Sequence, residues 1–497
     1  VPSQQVDGGS EPGSPLEILV VSDVSGRASN MGGIPVASGQ LTESLASLPD
    51  VNVTLLTVGD TEPHGDARLL TIPRDPDVRW ASQQLEDLPL RNRPADVPGF
   101  PSSEEWRPDI VIGHSRFSGP AALAFRQHWY PQAQLGHVVH MPIQRCAQIQ
   151  GRSPEVQEML VRLEREVMAE ADLVIGNGKM LTGIAREMAA SNPRQPAFHE
   201  MLPGAEVTGP AVTPTPGRTF NLLFTGRVND DVKGYDHLLE VVTELRGRGV
   251  DVRLRVRGVP EAYVEQQRQY AADRVGAAGV VDVRPYTPDL GELSGDYAAS
   301  HLAVMPSLTE GFGLVAAEAA GRGLPVLVNQ ESGVAEFFAD TRVPGAENVG
   351  RSFVVPDLGL DQRPGERVAA WARAIDGVIR DYPAQVANAA RMRTVLRDYS
   401  WRDAAAGLVE AFRHASVDAR GHTVQGPGGS LLDREGRRLT TPPARGAARG
   451  MGIVAMDFPK GRGLPGASAR KGRSTGAATS RRDAQGMPRK DPKGRGR

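Results

Sequence analysis

The chain has 497 residues, 57 of them Lys or Arg against 59 Asp or Glu, which is core enough for two or three domains. Its one cysteine, Cys146, excludes an internal disulfide framework and suits a reducing, cytoplasmic setting. No apolar run is long enough to span a bilayer, and the polar start, residues 1–15, predicts a disordered N-terminus rather than a signal peptide.

Residues 16–22 are β-branched and apolar, the pattern of a buried parallel strand. Gly32 and Gly33 follow, between this strand and a helix expected over 37–47. Residues 51–58 predict a second strand. Residues 60–105, rich in Pro, Asp and Arg, predict short strands and loops with a mobile stretch near 92–103. Strands are expected over 106–114 and 135–140, each with a histidine at its carboxyl end, His114 and His140. Ligands of open α/β sheets bind beyond those ends. His114 is as readily structural as functional there. His137, inside its strand, faces a helix. Residues 154–171 predict a charged helix with Glu155, Glu158, Arg162, Glu164, Arg165, Glu166 and Glu170 on its wet faces. A strand over 171–176, a turn at Asn177 and Gly178, and a helix over 179–190 follow. Pro210, Pro214 and Pro216, without apolar periodicity, mark residues 209–217 as a linker.

The second half restarts with a strand over 220–225, then Gly226, Arg227 and a loop reaching Lys233 and Gly234. Leu238, Leu239, Val242 and Leu245 recur at helical spacing over 235–246. Residues 252–257 alternate Val or Leu with Arg, so one strand face must lie under aliphatic stems or open to water. A strand over 301–305, a glycine loop at 310–313, an Ala-rich helix over 314–321 and a strand over 325–328 make a βαβ unit. Helices are expected over 367–379 and 383–396, and a last one from about Trp401. From residue 421 the chain holds 17 Lys/Arg and 5 Asp/Glu, so this stretch carries +12 and the rest −14. Its Gly-, Arg- and Pro-rich composition predicts disorder, and such charge could attract nucleic acid or anionic lipid without specificity.

The chemistry concentrates in two loops of the second half. Glycines let backbone approach a ligand, and unpaired amides at a helix start favour phosphate. Arg227 and Lys233 flank one strand end, where two cations can neutralise a diphosphate. Glu310 and Glu318 can accept hydrogen bonds from sugar hydroxyls. Glu310, Gly311, Phe312, Gly313, Leu314 and Glu318 resemble the glutamate-x7-glutamate signature of retaining glycosyltransferases with the GT-B fold, above all family 4. Gly226, Arg227, Lys233 and Gly234 resemble that family's donor-phosphate motif, and Gly32 and Gly33 its glycine pair near donor diphosphate and acceptor. The turn at 331–336 is similar to its Gly-Gly-x-x-Glu turn, with Ser332 in place of the first glycine.

The resemblance implies an α/β protein of two Rossmann-like domains, 16–208 and 218–395, facing across a cleft. A helix over 396–418 would return to the first domain, and residues 419–497 would be a disordered basic tail. It implies a metal-independent, retaining hexosyl transfer from a nucleotide-diphosphate sugar to an unknown acceptor, with no cofactor. Glu310 would contact the donor sugar and Glu318 the ribose. Arg227 and Lys233 would hold the diphosphate, and His140 would lie near the reaction centre. A GT-B epimerase and a non-catalytic nucleotide-sugar-binding module remain alternatives. No specific nucleic-acid partner is expected. Acceptor, base, peripheral membrane contact and oligomeric state stay open.

Overall fold

The computed structural model describes residues 14–26, 32–101, 106–205, 207, 209–212, 217–343, 345, 349–356 and 363–420. The basic segment from 421 on and the N-terminal residues 1–13 lie outside them, as do the expectations placed there.

The first domain is a seven-stranded parallel sheet. In chain order its elements are β1 (Leu16–Val21), α1 (Gly33–Ala46), β2 (Val51–Val58), β3 (Arg68–Ile72), α2 (Ala81–Arg91), β4 (Ile110–His114), α3 (Ser115–His128), β5 (Gln134–Val139), α4 (Ile143–Ile149), α5 (Pro154–Glu170), β6 (Leu173–Asn177), α6 (Lys179–Ala189) and β7 (Ala197–Met201). Strand order is β3-β2-β1-β4-β5-β6-β7. The central strands are near-continuous aliphatic runs because helices cover both faces.

The second domain is a six-stranded parallel sheet. It comprises β8 (Phe220–Thr225), α7 (Tyr235–Gly247), β9 (Val252–Val259), α8 (Val264–Val275), β10 (Val281–Pro285), α9 (Leu290–Ala298), β11 (Leu302–Met305), α10 (Leu314–Gly321), β12 (Val326–Asn329), α11 (Gly333–Ala339), β13 (Val354–Val355), α12 (Pro364–Arg380) and α13 (Tyr382–Leu396). Its order is β10-β9-β8-β11-β12-β13. In both sheets the order reverses beside the first strand, the switch point where such folds open a crevice.

The last helix, α14 (Trp401–Arg420), returns to the first domain. Ser400 Oγ donates to the Asp403 carboxylate and accepts from the Asp403 amide, which fixes the helix start. Leu408 and Phe412 are buried in the core beneath β1 and β4. Gly136 leaves the room: a Cβ there would lie 2.6 Å from the Phe412 ring.

Four expectations need correction. Helix α1 starts at Gly33, four residues early, because Pro35 suits a first turn that needs no amide at that point. Residues 60–105 contain helix α2, which buries Ser82, Leu85 and Pro89 against α3; Pro89 comes late enough in the helix to be tolerated. Glu164 does not face water: it is 2 % exposed and its Oε2 lies 2.7 Å from His137 Nε2. The Arg face of β9 is neither stem-covered nor fully open. Arg257 is buried and meets Asp296 at 2.5 Å and Glu292 at 3.1 Å, while Arg255 and Arg284 share Asp282 and Asp296. Among the described residues no helix is long and apolar enough to cross a membrane.

Candidate active site

The second-domain wall is built on three glycines. Gly234, at φ 69°, follows the short 3-10 turn Asp231–Lys233; a Cβ there would lie 2.3 Å from the carbonyl oxygen of Pro306. Only glycine lets the β8–α7 loop press so closely on the loop after β11. Leu308 N–H donates to Val232 O at 2.8 Å, and this contact sets Lys233 over Glu310. Lys233 Nζ lies 2.5 Å from Glu310 Oε2, and Ser307 Oγ donates to the same oxygen at 3.2 Å. Gly313, at φ 98°, caps α10 with Met305 packed where a side chain would sit. Gly311 is the third. A Cβ on it would lie 1.9 Å from His140 O in the first domain, so the glutamate loop meets the end of β5 backbone to backbone.

Arg227 Nη2 pairs with Asp230 Oδ2 at 2.7 Å. Burial works to raise the Asp230 pKa, but the charge and hydrogen bond of Arg227, then Lys233, outweigh it and hold the carboxyl below its usual range. Asp230 also accepts from Val232 N at 3.2 Å and, across the cleft, from Gln150 Nε2 at 3.4 Å. Gly32 stands opposite: a Cβ on it would be 3.5 Å from Arg227 Nη1. Gly33 has open space where a Cβ would point. Glu318, in the second turn of α10, accepts from Tyr297 Oη at 3.4 Å. Ser332 caps α11, accepting from Ala335 N and donating to Asn329 O, so the serine steadies its turn. Lys179–Glu336 at 3.3 Å and Arg342–Glu200 at 2.8 Å are further pairs between the halves.

The first-domain wall is a chain of rings. Asn177 Nδ2 lies 2.8 Å from His140 Nδ1, and His140 Nε2 lies 2.9 Å from His114 Nδ1. All three residues end neighbouring strands, and all are buried. Burial first, and the His137 charge second, bring the His114 pKa down to about 3. Burial, then His114 and His137, hold His140 well below the usual imidazole range. Both rings are neutral, and an amide proton from Asn177 makes His140 the donor to His114. Both ring nitrogens of His140 are thus engaged within the protein. A polar contact to a ligand would require one of these bonds to be exchanged.

The structure therefore gathers Gly32, Arg227, Lys233, Glu310, Gly311 and the His140 backbone at one junction, with Phe312, Gly313 and Leu314 leading into α10. It adds Asp230, Ser307, Gln150, Asn177 and Glu164, which the sequence reading did not single out as site residues. Asp230 is the one with a sequence signal, an Asp two residues before the buried Val232 in a motif loop. Among the described residues no group of three or more His, Cys, Asp and Glu could hold a metal ion.

The chain resembles known proteins in sequence and in fold. The D-inositol 3-phosphate glycosyltransferase of Rhodococcus opacus is 28% identical over 362 residues, 67% of this chain and 72% of its own. That of Arthrobacter sp. is 27% identical over 330 residues, 63% of this chain and 72% of its own. Sucrose-phosphate synthase from Thermosynechococcus elongatus superposes with a TM-score of 0.61 at 19% identity, covering 81% of this chain and all of its own. Anabaena Alr3699/HepE in complex with UDP and glucose gives 0.56 at 17% identity, covering 80% and 99%. These structures show the GT-B arrangement of two Rossmann-like domains. A family model described as the family 4 glycosyltransferase in conflict systems matches residues 19–408, most of the chain, and with the motifs and the paired sheets in place the chain belongs to that family.

Proposed function

We propose that the chain is a retaining glycosyltransferase that moves a hexosyl group from a nucleotide-diphosphate sugar to an acceptor hydroxyl, without metal or other cofactor. The observation that carries this reading is the Lys233–Glu310 pair at 2.5 Å, set at the junction where Gly32 approaches Arg227. A donor diphosphate would take up Arg227 and Lys233 as they exchange their carboxylate partners. Glu310, released from Lys233, would accept from donor-sugar hydroxyls, and Glu318 from the ribose. The α10 amides would add donors to the phosphate. In the transfer the bond from the sugar's anomeric carbon to phosphate breaks, and a bond to the acceptor oxygen forms on the same face. The acceptor proton goes to the leaving phosphate oxygen. Two fixed cations in a shielded site favour the charge that builds there. His140 keeps the floor of the cleft uncharged and hydrogen-bonded. The glycosyltransferase relatives support a transfer of sugar, and the Anabaena protein in complex with UDP and glucose supports a nucleotide-sugar donor. The cytoplasm is the proposed place of work.

A thermal-shift screen against UDP-, GDP-, ADP- and TDP-sugars tests the reading, because a specific ligand raises apparent stability. One nucleotide class should stabilise the protein, and the product should keep the donor's anomeric configuration by NMR. Stabilisation by none, or an inverted product, would refute it.

A further inference from the structure

One buried residue, Arg257, ties together the loops that follow β8 and β10. It stands near the carboxyl end of β9, opposite Thr225 of β8. Its carbonyl oxygen accepts from the Gly226 amide at 2.9 Å, one residue before Arg227. Gly258 after it, at φ 119°, is an extra residue in the ladder, since Arg284 pairs with Arg257 but Pro285 with Val259. A Cβ on Gly258 would lie 2.6 Å from Gly226 O, so this bulge packs directly on the loop that carries Arg227. Bulges beside active sites re-aim a side chain.

The Arg257 side chain reaches the other loop. Its Nη1 donates to Pro285 O at 3.0 Å and to Glu292 Oε2 at 3.1 Å, and its Nε to Asp296 Oδ2 at 2.5 Å. Tyr286 N–H donates to Val259 O at 2.7 Å, and Asp289 caps α9 by accepting from the Gly291 and Glu292 amides. Residues 285–289 are thus held at both ends. A buried ion pair adds little net stability, because dehydrating the charges offsets their attraction. Asp296 also has two other guanidinium partners, Arg284 at 3.1 Å and Arg255 at 3.5 Å. What Arg257 adds is the bond to Pro285 O. It fixes a loop beyond the carboxyl end of a strand, where ligands of such sheets bind.

With the diphosphate on Arg227 and Lys233 and the ribose on Glu318, this loop lies toward the nucleoside. Glu318 meets Tyr297 Oη at 3.4 Å, and Tyr297 belongs to α9, the helix that the loop enters. The base joins the ribose at the other end of the sugar from the diphosphate.

We propose that Arg257 is a positioning residue for base selection: it holds residues 285–289 in the one arrangement in which their backbone groups match the donor's base. This rests on the transferase reading above. A base presents in-plane donors and acceptors, which a rigid run of amides and carbonyls can match and a loose one cannot. The guanidinium acts through the loop, so its loss should cost discrimination between bases rather than grip on the diphosphate.

Calorimetric titration of UDP, GDP, ADP and TDP into the full chain tests this. The wild type should prefer one base by at least about tenfold. Arg257→Met keeps the stem and leaves Asp296 to Arg284 and Arg255. It should bind the preferred nucleotide at least about tenfold more weakly and the others within about threefold of wild type, so that the preference collapses. Arg257→Lys keeps charge but not the fork and should fall between the two. Preference retained in Arg257→Met, equal weakening of all four nucleotides, or no preference in the wild type overturns the proposal. Should Arg257→Met fail to fold, Arg257→Lys decides by the same criterion; should neither fold, the residue is structural and the proposal falls. If the wild type binds none of the four, the transferase reading fails and the proposal with it. If it binds them and the variants keep its preference, the proposal fails alone.

Discussion

Gly311 and His140, on opposite walls of the cleft, are in backbone contact so close that a methyl group on the glycine would sit 1.9 Å from the histidine carbonyl oxygen. The glutamate loop can therefore approach the first domain this closely only because Gly311 has no side chain. Gly311→Ala should push the halves apart, lower stability by about 1–3 kcal/mol and slow transfer. Gly33→Ala, with open space at its Cβ position, should leave stability within about 0.5 kcal/mol of wild type. Urea melts of both variants check this, and equal stabilities would contradict it.

The His137–Glu164 pair is buried on both sides, at 0 % and 2 % side-chain exposure. Glu164→Ala leaves His137 Nε2 and the Arg116 amide without their acceptor, so unfolding free energy should drop by about 3 kcal/mol. A chemical denaturation curve measures the loss. A change below about 1 kcal/mol would mean that water replaces the carboxylate, contrary to the enclosed geometry.

His114 should make the fold acid-sensitive. Its pKa is 6.5 as a free group and about 3 in place, so protons bind the unfolded chain first. Its stabilising contribution is whole above 6.5 and is lost as pH falls toward 3. His140, lowered in the same direction, adds to the slope. Asp23, raised from 3.8 to about 6, works oppositely between those values, while His137, Glu164 and Arg116 complete the surrounding charges. Urea midpoints should fall between about pH 7 and about pH 5, and less steeply in His114→Gln. Parallel curves would contradict the assignment.

Phe412 is 1% exposed, and its ring fills the space above Gly136. Phe412→Ala should cost about 3–4 kcal/mol, although the residue stands late in the chain and far from the first domain in sequence. A cost within about 0.5 kcal/mol would show that α14 merely rests on the surface.

Much of the second domain could be read in advance. The helix over 314–321 matches to the residue because glycines punctuate both ends of an Ala-rich run. Arg227, Lys233 and Glu310 stood out because each lies in a loop at a strand end and falls in a motif that resembles the family's. Helix α2 did not stand out, since Pro89 and the polar residues around Leu85 broke its period. Glu164 was misplaced because helical spacing separates wet from dry faces only by residue type. Its partner His137 is 27 residues away on a strand. Asn177 read as a turn residue for the same reason: its bond to His140 joins the ends of two strands, a relationship that exists only once the sheet is assembled. The buried Arg257–Asp296 pair likewise joins positions 39 residues apart. Local pattern specifies elements and loops well. It does not specify which polar side chains meet inside.

Lys233, 2.5 Å from Glu310, is proposed to grip the donor diphosphate. The direct measurement is calorimetric donor binding with initial-rate transfer for wild type and Lys233→Ala, using the nucleotide sugar that stabilises the protein. The variant should stay folded while its turnover drops by at least about a hundredfold and its donor affinity weakens. Lys233→Ala protein that binds donor and turns over as the wild type does would contradict it.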